Sequence, residues 1–426
     1  MAKPKLALIP AAQGSKFYSV LPSSGVGDFD FTRSGSATRI NSQGLIETVA
    51  NGVSRLNYPL IDGKVVGCPS HLLEPQSTNL LTYSEDFSNA AWLKLGASVV
   101  SNSAISPDGT LNASSFIEDT SNGTHILYRN NVITGAGQNT LSVKVKANGR
   151  NWILLYDAEN GDRVFFDLEN GIAGSAIGSP DAFSINALPN GWYDISLTST
   201  STAKVDFQMY LAESDGVSSY TGNGVSGIYV YGAQLEFNSY QTSYIPTVAS
   251  TVTRSAETAN NSGDAATFND SEGVLMFEGS ALANDGTFRI LSLSNGGTSN
   301  EIKIQLSSVD NTIGYGVVVG GFPQIDSFYT INSTLLNNKI AAKYKENDFS
   351  LFVNGFEVIV DTNGSVFSQG TLNELSFERG NNTSPFYSST KQIQYYDSVL
   401  TDSELETLTS WVSFSDMANG QLYTIE

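Results

Sequence analysis

Three of the chain's Asn-Gly pairs, set between stretches in which apolar and polar residues alternate, constrain it more than any other feature. The pairs are Asn160-Gly161, Asn170-Gly171 and Asn354-Gly355. Asn and Gly both tolerate positive φ, and the pair between two strands is the strongest short hairpin signal. The segment QNTLSVKVKANG puts Leu141, Val143 and Val145 on one side of a strand and polar residues on the other, the period of a half-buried strand. GWYDISLTSTS, KVDFQMYLAES and SGIYVYGAQLEFN repeat the pattern, as do EIKIQLSS, GYGVVVGG and KIAAKYKENDFSLFVNGFEVIV nearer the C-terminus. One helix is expected, in VLTDSELETLTSWV. There Thr401 and Glu404 form a capping box, with Leu400 and Leu405 as the hydrophobic staple. That helix should pack on a sandwich edge.

The fold class expected is therefore all-β: tandem β-sandwich or jelly-roll modules with a small N-terminal β region. At 426 residues the chain exceeds what one core usually serves. Pattern divides it into residues 1–78, a leader with brief strands and too little core of its own, residues 79–248, a jelly roll, and residues 249–426, a second sandwich. No heptad run encodes a coiled-coil stalk.

Charge narrows the functions. Asp and Glu outnumber Lys and Arg 42 to 22, a net charge of −20. Such a surface repels nucleic acid and anionic membrane, so neither a nucleic-acid partner nor membrane insertion is expected. The plain reading of the charge is solubility; the sharper one is calcium held by loop carboxylates. The single cysteine, Cys68, allows no internal disulfide, and two histidines, His71 and His125, are too few for an ordinary zinc site. The N-terminal MAKPKLALIPAAQG lacks the apolar run of a signal peptide. No Gly-x-Ser-x-Gly elbow, phosphate loop or dinucleotide fingerprint is present. Glu213-Ser214-Asp215 approaches the acid run of sandwich glucanases but lacks a third acid. The chain is not expected to be an enzyme, with two carboxylates brought together only in three dimensions as the remaining route to catalysis.

Several motifs resemble one family. SGIYVYGAQLEFNSYQTSYIPTVASTVTRSAE, with its aromatic-x-Gly-Ala-Gln-Leu-Glu, Ser-Tyr-Ile-Pro-Thr and Thr-Arg, resembles a module ending common in tailed-bacteriophage virion proteins. NLLTYSEDFSNAAW resembles the first strand of that module, and FDLENGIAGSA with LPNGWYDISLT its middle. In the leader, FTRSGSATRINSQGLIETVANGVSRLNY and LLEPQSTNLLTYSE are similar to segments of the same proteins. The module resembles jelly-roll carbohydrate-binding modules. IAAKYKENDFSLFVNGFEVIV and IQYYDSVLTDSELETL are similar to laminin-G-like and concanavalin-A-like sandwiches. The resemblance implies a lectin-like structural protein at the virion surface: a tail fibre, head fibre or capsid decoration. Its implied partners are other virion proteins and host-surface glycans, in a homo-oligomer with a trimer favoured. A spacer without ligand and a polysaccharide depolymerase are the alternatives.

Glycan binding needs aromatic rings on which sugar C–H faces stack, with amides and carboxylates for the hydroxyls. Region 79–248 supplies Trp92, Trp152, Tyr156, Trp192 and Tyr193. The plain reading of each is packing. Trp152 and Tyr156 are separated by an even number of strand positions and so share a face; where that face is the concave one, they form a stacking platform with Arg150 and Asp157 at its rim. Trp192 and Tyr193 are neighbours, so one of them faces inward. Calcium candidates are Asp157, Glu159 and Asp162 around the first hairpin, and Glu85 and Asp86. DAENGD also reads as a plain solvated turn.

Overall fold

A computed structural model describes residues 2–413. Apart from Asp402–Thr409, the described residues contain no α-helix, and strands carry the fold. The fold class is the expected one: β-sandwich domains in tandem.

Region 79–248 contributes two six-stranded antiparallel sheets. The front sheet runs Leu93–Leu95, Ile126–Ile133, Lys204–Ala212, Trp152–Asp157, Asp162–Asp167, Ile172–Ile177. The back sheet runs Ala97–Ile105, Leu111–Glu118, Gly227–Glu236, Gly137–Asn148, Trp192–Ser201, Ala182–Leu188. Alternation decides the core between them. Ile153, Leu155, Val164, Phe207 and Met209 point inward from the front, and meet Leu141, Val143, Val145, Ile195 and Val230 from the back.

The Asn-Gly turns divide into two kinds. Between paired Val353 and Phe356, Asn354 (φ 51) and Gly355 (φ 91) both take the left-handed conformation, the two-residue type expected of the pair. At Asp157–Asp162 and Asp167–Ile172 the loop has two more residues, and only the glycine is left-handed, Gly161 at φ 84 and Gly171 at φ 67. The reason is the leading aspartate of each Asp-x-Glu-Asn-Gly. The Asp167 carboxylate accepts from the Glu169 and Asn170 amides (2.9 and 3.3 Å) and from the Asn170 side chain (2.7 Å). The glycine amide donates to the aspartate carbonyl, at 2.8 Å in the first turn and 2.9 Å in the second.

The second sandwich stacks a nine-stranded sheet on a five-stranded one. Its core includes Phe277, Leu291, Ile304, Tyr315, Phe349 and Tyr395. The leader is woven into it. Leu6–Leu8 and Ser70–Leu72 both pair with Ser388–Tyr396, while Lys16–Phe17 and Thr258–Asn260 flank Phe29–Thr32. Leu6, Leu8, Phe17, Phe29 and Phe31 join the same core. A further leader hairpin, Ala37–Ile40 with Ile46–Val49, lies in the other direction. It places Ile46 against Leu188, Trp192, Tyr231 and Tyr244 on the outer face of the back sheet. The helix caps as expected, with Glu404 N–H donating to Thr401 Oγ1 (3.3 Å) and Thr401 N–H to Glu404 (3.0 Å). It covers the outer face of the nine-stranded sheet near the edge strand Phe356–Asp361, where Leu400 and Leu405 meet Val274, Met276, Phe352 and Tyr396.

All three regions meet at one buried ionic cluster. One Glu257 oxygen accepts from Arg33 (2.8 Å) and Arg55 (2.9 Å); the other accepts from Arg55 and the Glu74 amide (2.9 Å). Glu74 in turn pairs with Arg55 (2.8 Å) and Arg254 (3.0 Å), and accepts from the Ser243 amide (2.8 Å) and hydroxyl (2.6 Å). Arg254 also donates to the Pro75 carbonyl at 2.8 Å. The side chains of Arg33, Arg55, Arg254 and Glu257 have no exposed surface. Burial alone would raise the Glu74 carboxyl, but the Arg254 and Arg55 guanidiniums and the Ser243 hydrogen bonds outweigh it and hold it at about 2.

Removing one partner of a buried pair leaves an uncompensated charge, a loss of roughly 3–5 kcal/mol. Glu257→Gln is expected to lower the unfolding free energy by about that amount in urea denaturation at neutral pH; a loss under about 1 kcal/mol would show that the arginines are solvated instead. Glu74 is held below its unfolded value of 4.5. Its stabilisation is therefore complete above that pH and lost as the pH falls toward about 2. Thermal unfolding followed from pH 6 to pH 2 should drop mainly in that window, and Glu74→Gln should flatten the drop.

Candidate functional site

The strand Trp152–Asp157 turns Ile153 and Leu155 into the core and Trp152, Leu154 and Tyr156 outward. Antiparallel register sets what stands beside them. Leu154 lies opposite Tyr210 on one side and Phe165 on the other; Tyr156 lies between Gln208 and Arg163. The outcome is an aromatic platform on the outer face of the front sheet. Leu154, Phe165 and Ala212 are buried beneath it, and the rings of Trp152, Tyr156 and Tyr210 are half-buried.

The Tyr156 and Tyr210 ring centroids are 5.9 Å apart at 54°, and the Arg163 guanidinium lies 5.2 Å from the Tyr156 centroid. Tyr210 donates to Gln208 (2.8 Å), and the Gln208 amide donates to Asn130 (2.9 Å). Burial, then the neighbouring Tyr156, pushes the Tyr210 phenol up, so it stays neutral. Leu154, Tyr156, Arg163, Tyr210, Gly216 and Ser218 line a groove of about 280 Å³ there. At its end, Asp215 accepts from the Ser175 amide and hydroxyl, both at 2.8 Å, and so holds the loop against the sheet. Gly174 allows this close approach: a Cβ there would lie 2.7 Å from the Trp152 ring and 2.6 Å from the Asp215 carboxylate, so one of them would have to shift.

The other aromatic candidates have different surroundings. Trp92 is buried in the jelly-roll core between Phe87 (4.9 Å) and Phe207 (5.8 Å), its indole N–H donating to the Tyr83 carbonyl at 2.9 Å. Tyr193 is the inward neighbour of the Trp192–Tyr193 pair and packs half-buried against that core. Trp192 faces away from the core and is nonetheless only 1% exposed, because the leader hairpin covers it. Neither tryptophan has an open ring face. The expected rim is corrected too. Arg150 is held by Glu118 through two bonds of 2.7 Å and lies over the Tyr220 ring, while Asp157 points inward. Arg163, Gln208 and Tyr210 take their place, and the alternation in KVDFQMYLAES and DRVFFD carries the signal for them.

Asp157 and Asp162 meet at the Ser199 hydroxyl, while Glu159, Glu85 and Asp86 lie apart from them. Asp157 accepts from the Asp206 amide (3.0 Å) and from Asn160 and Ser199; Asp162 accepts from the Ser179 amide (2.7 Å) and Ser199 (2.6 Å). Glu159 pairs at the surface with Lys204 at 3.4 Å. Burial raises the Asp157 carboxyl in spite of its hydrogen bonds. Glu85 is partly buried and accepts from the Tyr231 and Tyr244 hydroxyls, while Asp86 accepts from Ser88. Among the described residues no group of three His, Cys, Asp or Glu is placed to hold a metal. No helix of the described residues is long and apolar enough to cross a membrane.

No protein-family model matches the chain, and no curated protein sequence matches it. Among solved structures it is similar to the CBM40 of a Ruminococcus gnavus IT-sialidase bound to α2,3-sialyllactose, at 20% identity over 33% of this chain and 84% of that one, TM-score 0.29. It is also similar to domain 4 of a GH43 extracellular arabinanase from Geobacillus stearothermophilus in complex with arabinotriose, at 15% identity over 41% and 84%, TM-score 0.32. A third similarity is to domains LG4–5 of the mouse laminin α1 chain, at 9% identity over 65% and 86%, TM-score 0.24.

Because the Asp157 and Asp162 oxygens are engaged by amides and hydroxyls, millimolar calcium and EGTA should give the same melting temperature by scanning fluorimetry. A calcium-dependent rise of several degrees, abolished by Asp162→Ala, would overturn this account of the turn.

Proposed function

We propose that this chain is a glycan-binding protein whose ligand lies along the outer face of the front sheet. One observation carries the reading: Trp152, Tyr156 and Tyr210 present partly open rings on a single sheet face, next to Arg163 and Gln208. Rings supply the stacking surface for sugar C–H faces, and the guanidinium and amide supply hydrogen bonds to hydroxyls. A shallow groove suits an oligosaccharide segment and weak single-site affinity, which repetition on an oligomer would multiply. Two acids stand near the platform, and both are engaged: Asp215 by Ser175 and Asp206 by the Asn131 amide at 2.6 Å, and the reading is of binding without catalysis.

The second part of the proposal is a place on the surface of a phage particle as a fibre or decoration protein, with other virion proteins as neighbours. It is supported by the resemblance of the leader and of the segment ending at Glu257. Gln234, Glu236, Ser243, Arg254 and Glu257 of that segment belong to the buried polar network joining the three regions. The resemblance therefore concerns how the modules are joined, and the platform concerns what they bind.

A glycan array with the full chain should identify bacterial-surface oligosaccharides, and titration calorimetry on the best of them should give about tenfold weaker binding for Tyr156→Ala or Tyr210→Ala. Both variants should keep the parent melting temperature within a few degrees. Absence of binding to any array glycan would leave the spacer reading in its place, and release of reducing ends from the bound polysaccharide would establish a depolymerase. Immunogold labelling of phage particles tests the location.

A further inference from the structure

The back sheet carries a second polar feature, on the opposite side of the jelly roll from the platform. A cavity of about 270 Å³ lies where the leader meets the outer face of that sheet. Ile40 and Ile46 of the leader hairpin and Leu188 give it an apolar wall; Lys144, Asp194 and Gln241 give it a polar one. Lys144 is 1% exposed. Its ammonium stands 5.0 Å from the Tyr244 ring centroid and 3.4 Å from an Asp194 oxygen, and has no hydrogen-bond partner. Asp194 is oriented by Gln241, whose amide donates to both carboxylate oxygens at 3.0 and 2.9 Å.

A buried ammonium carries three donors, and leaving them unmade is destabilising. The cavity thus holds a desolvated cation with donors to spare, beside a carboxylate fixed in place with lone pairs left to accept. Two adjacent hydroxyls on one ring suit this pair, one accepting from Lys144 and the other donating to Asp194. The apolar wall suits the C–H face of the same ring. At about 270 Å³ the cavity has room for a pyranose ring. We infer that this junction is a binding site for a single pyranose ring with vicinal hydroxyls, a free monosaccharide or the terminal residue of a glycan. The site does not depend on the front-sheet reading, since the two share no residue.

The probes are methyl hexopyranosides covering the gluco, galacto and manno configurations, observed by saturation-transfer NMR with the full chain. At least one should bind. Lys144→Met, which keeps the stem and removes the donors, and Asp194→Asn, which keeps the shape, should each weaken it by about tenfold or more. Tyr156→Ala, on the other face, should leave this binding unchanged and weaken only oligosaccharide binding at the platform. Ile46→Trp, which fills the cavity from the leader side, should abolish the signal while the circular dichroism spectrum stays that of the parent. The inference is overturned if no glycoside gives a signal, or if the signal survives Ile46→Trp or both polar variants. Loss on Tyr156→Ala would overturn it too, by placing the binding at the platform. If Lys144→Met fails to fold, Asp194→Asn and Ile46→Trp carry the same test.

Discussion

Arg55 and Glu257 are 202 residues apart in the chain and bonded through two donors with no exposed side-chain surface. The arrangement of everything else depends on that pair and its companions. Arg33, Arg55 and Glu74 come from the leader, Ser243 from the tail of the jelly roll, and Arg254 and Glu257 from the start of the second sandwich. Burying ions is expensive, and an apolar cluster of equal volume would often be as stable. What a charged cluster adds is intolerance of misplacement: a shift of any one segment strands a guanidinium or a carboxylate in a dry interior. The cluster thereby makes three short connecting segments into a joint with one geometry.

That joint sets the asymmetry of the jelly roll. The leader emerging from it lies across the back sheet, so Trp192, Tyr231 and Tyr244 on that outer face are enclosed, and Lys144 is enclosed with them. On the front sheet the corresponding outer residues, Trp152, Tyr156 and Tyr210, keep part of their rings at the surface. The two sheets are built by the same alternation and differ in what covers them. An open platform on one side and a pocket walled by the leader on the other are both consequences of where the leader runs.

Much of this was legible beforehand. Leu141, Val143 and Val145 face the core as their spacing requires, and Trp152 shares a face with Tyr156 for the same reason. The Asn354-Gly355 turn and the Thr401–Glu404 cap are local chemistry and occur where local chemistry puts them. The two Asp-x-Glu-Asn-Gly turns were legible only in part, because the aspartate side chain competes for the turn amides and leaves positive φ to the glycine alone. Asp157 and Asp162, candidates for metal ligands in the sequence, tie that hairpin to its surroundings: Asp157 also bonds Asn160 of the turn, and both accept from Ser199 of the back sheet. Trp92 was legible only in part: Phe87, its nearer ring partner, is close in the chain, but the Phe207 that completes its burial lies far along the sequence.

The sequence by itself determined the strands, their inward faces, the turns and the one helical cap, because each follows from a period of two or from contacts within a few residues. Tertiary structure alone decided which outward faces stay open. Trp192 and Trp152 both point away from the jelly-roll core, and one is sealed while the other is not. The difference lies in a hairpin more than a hundred residues earlier, held over the back sheet by charges that meet only when the whole chain has folded. Alternation reports the side of a sheet a residue occupies; it carries no information about which distant segment will come to rest on that side.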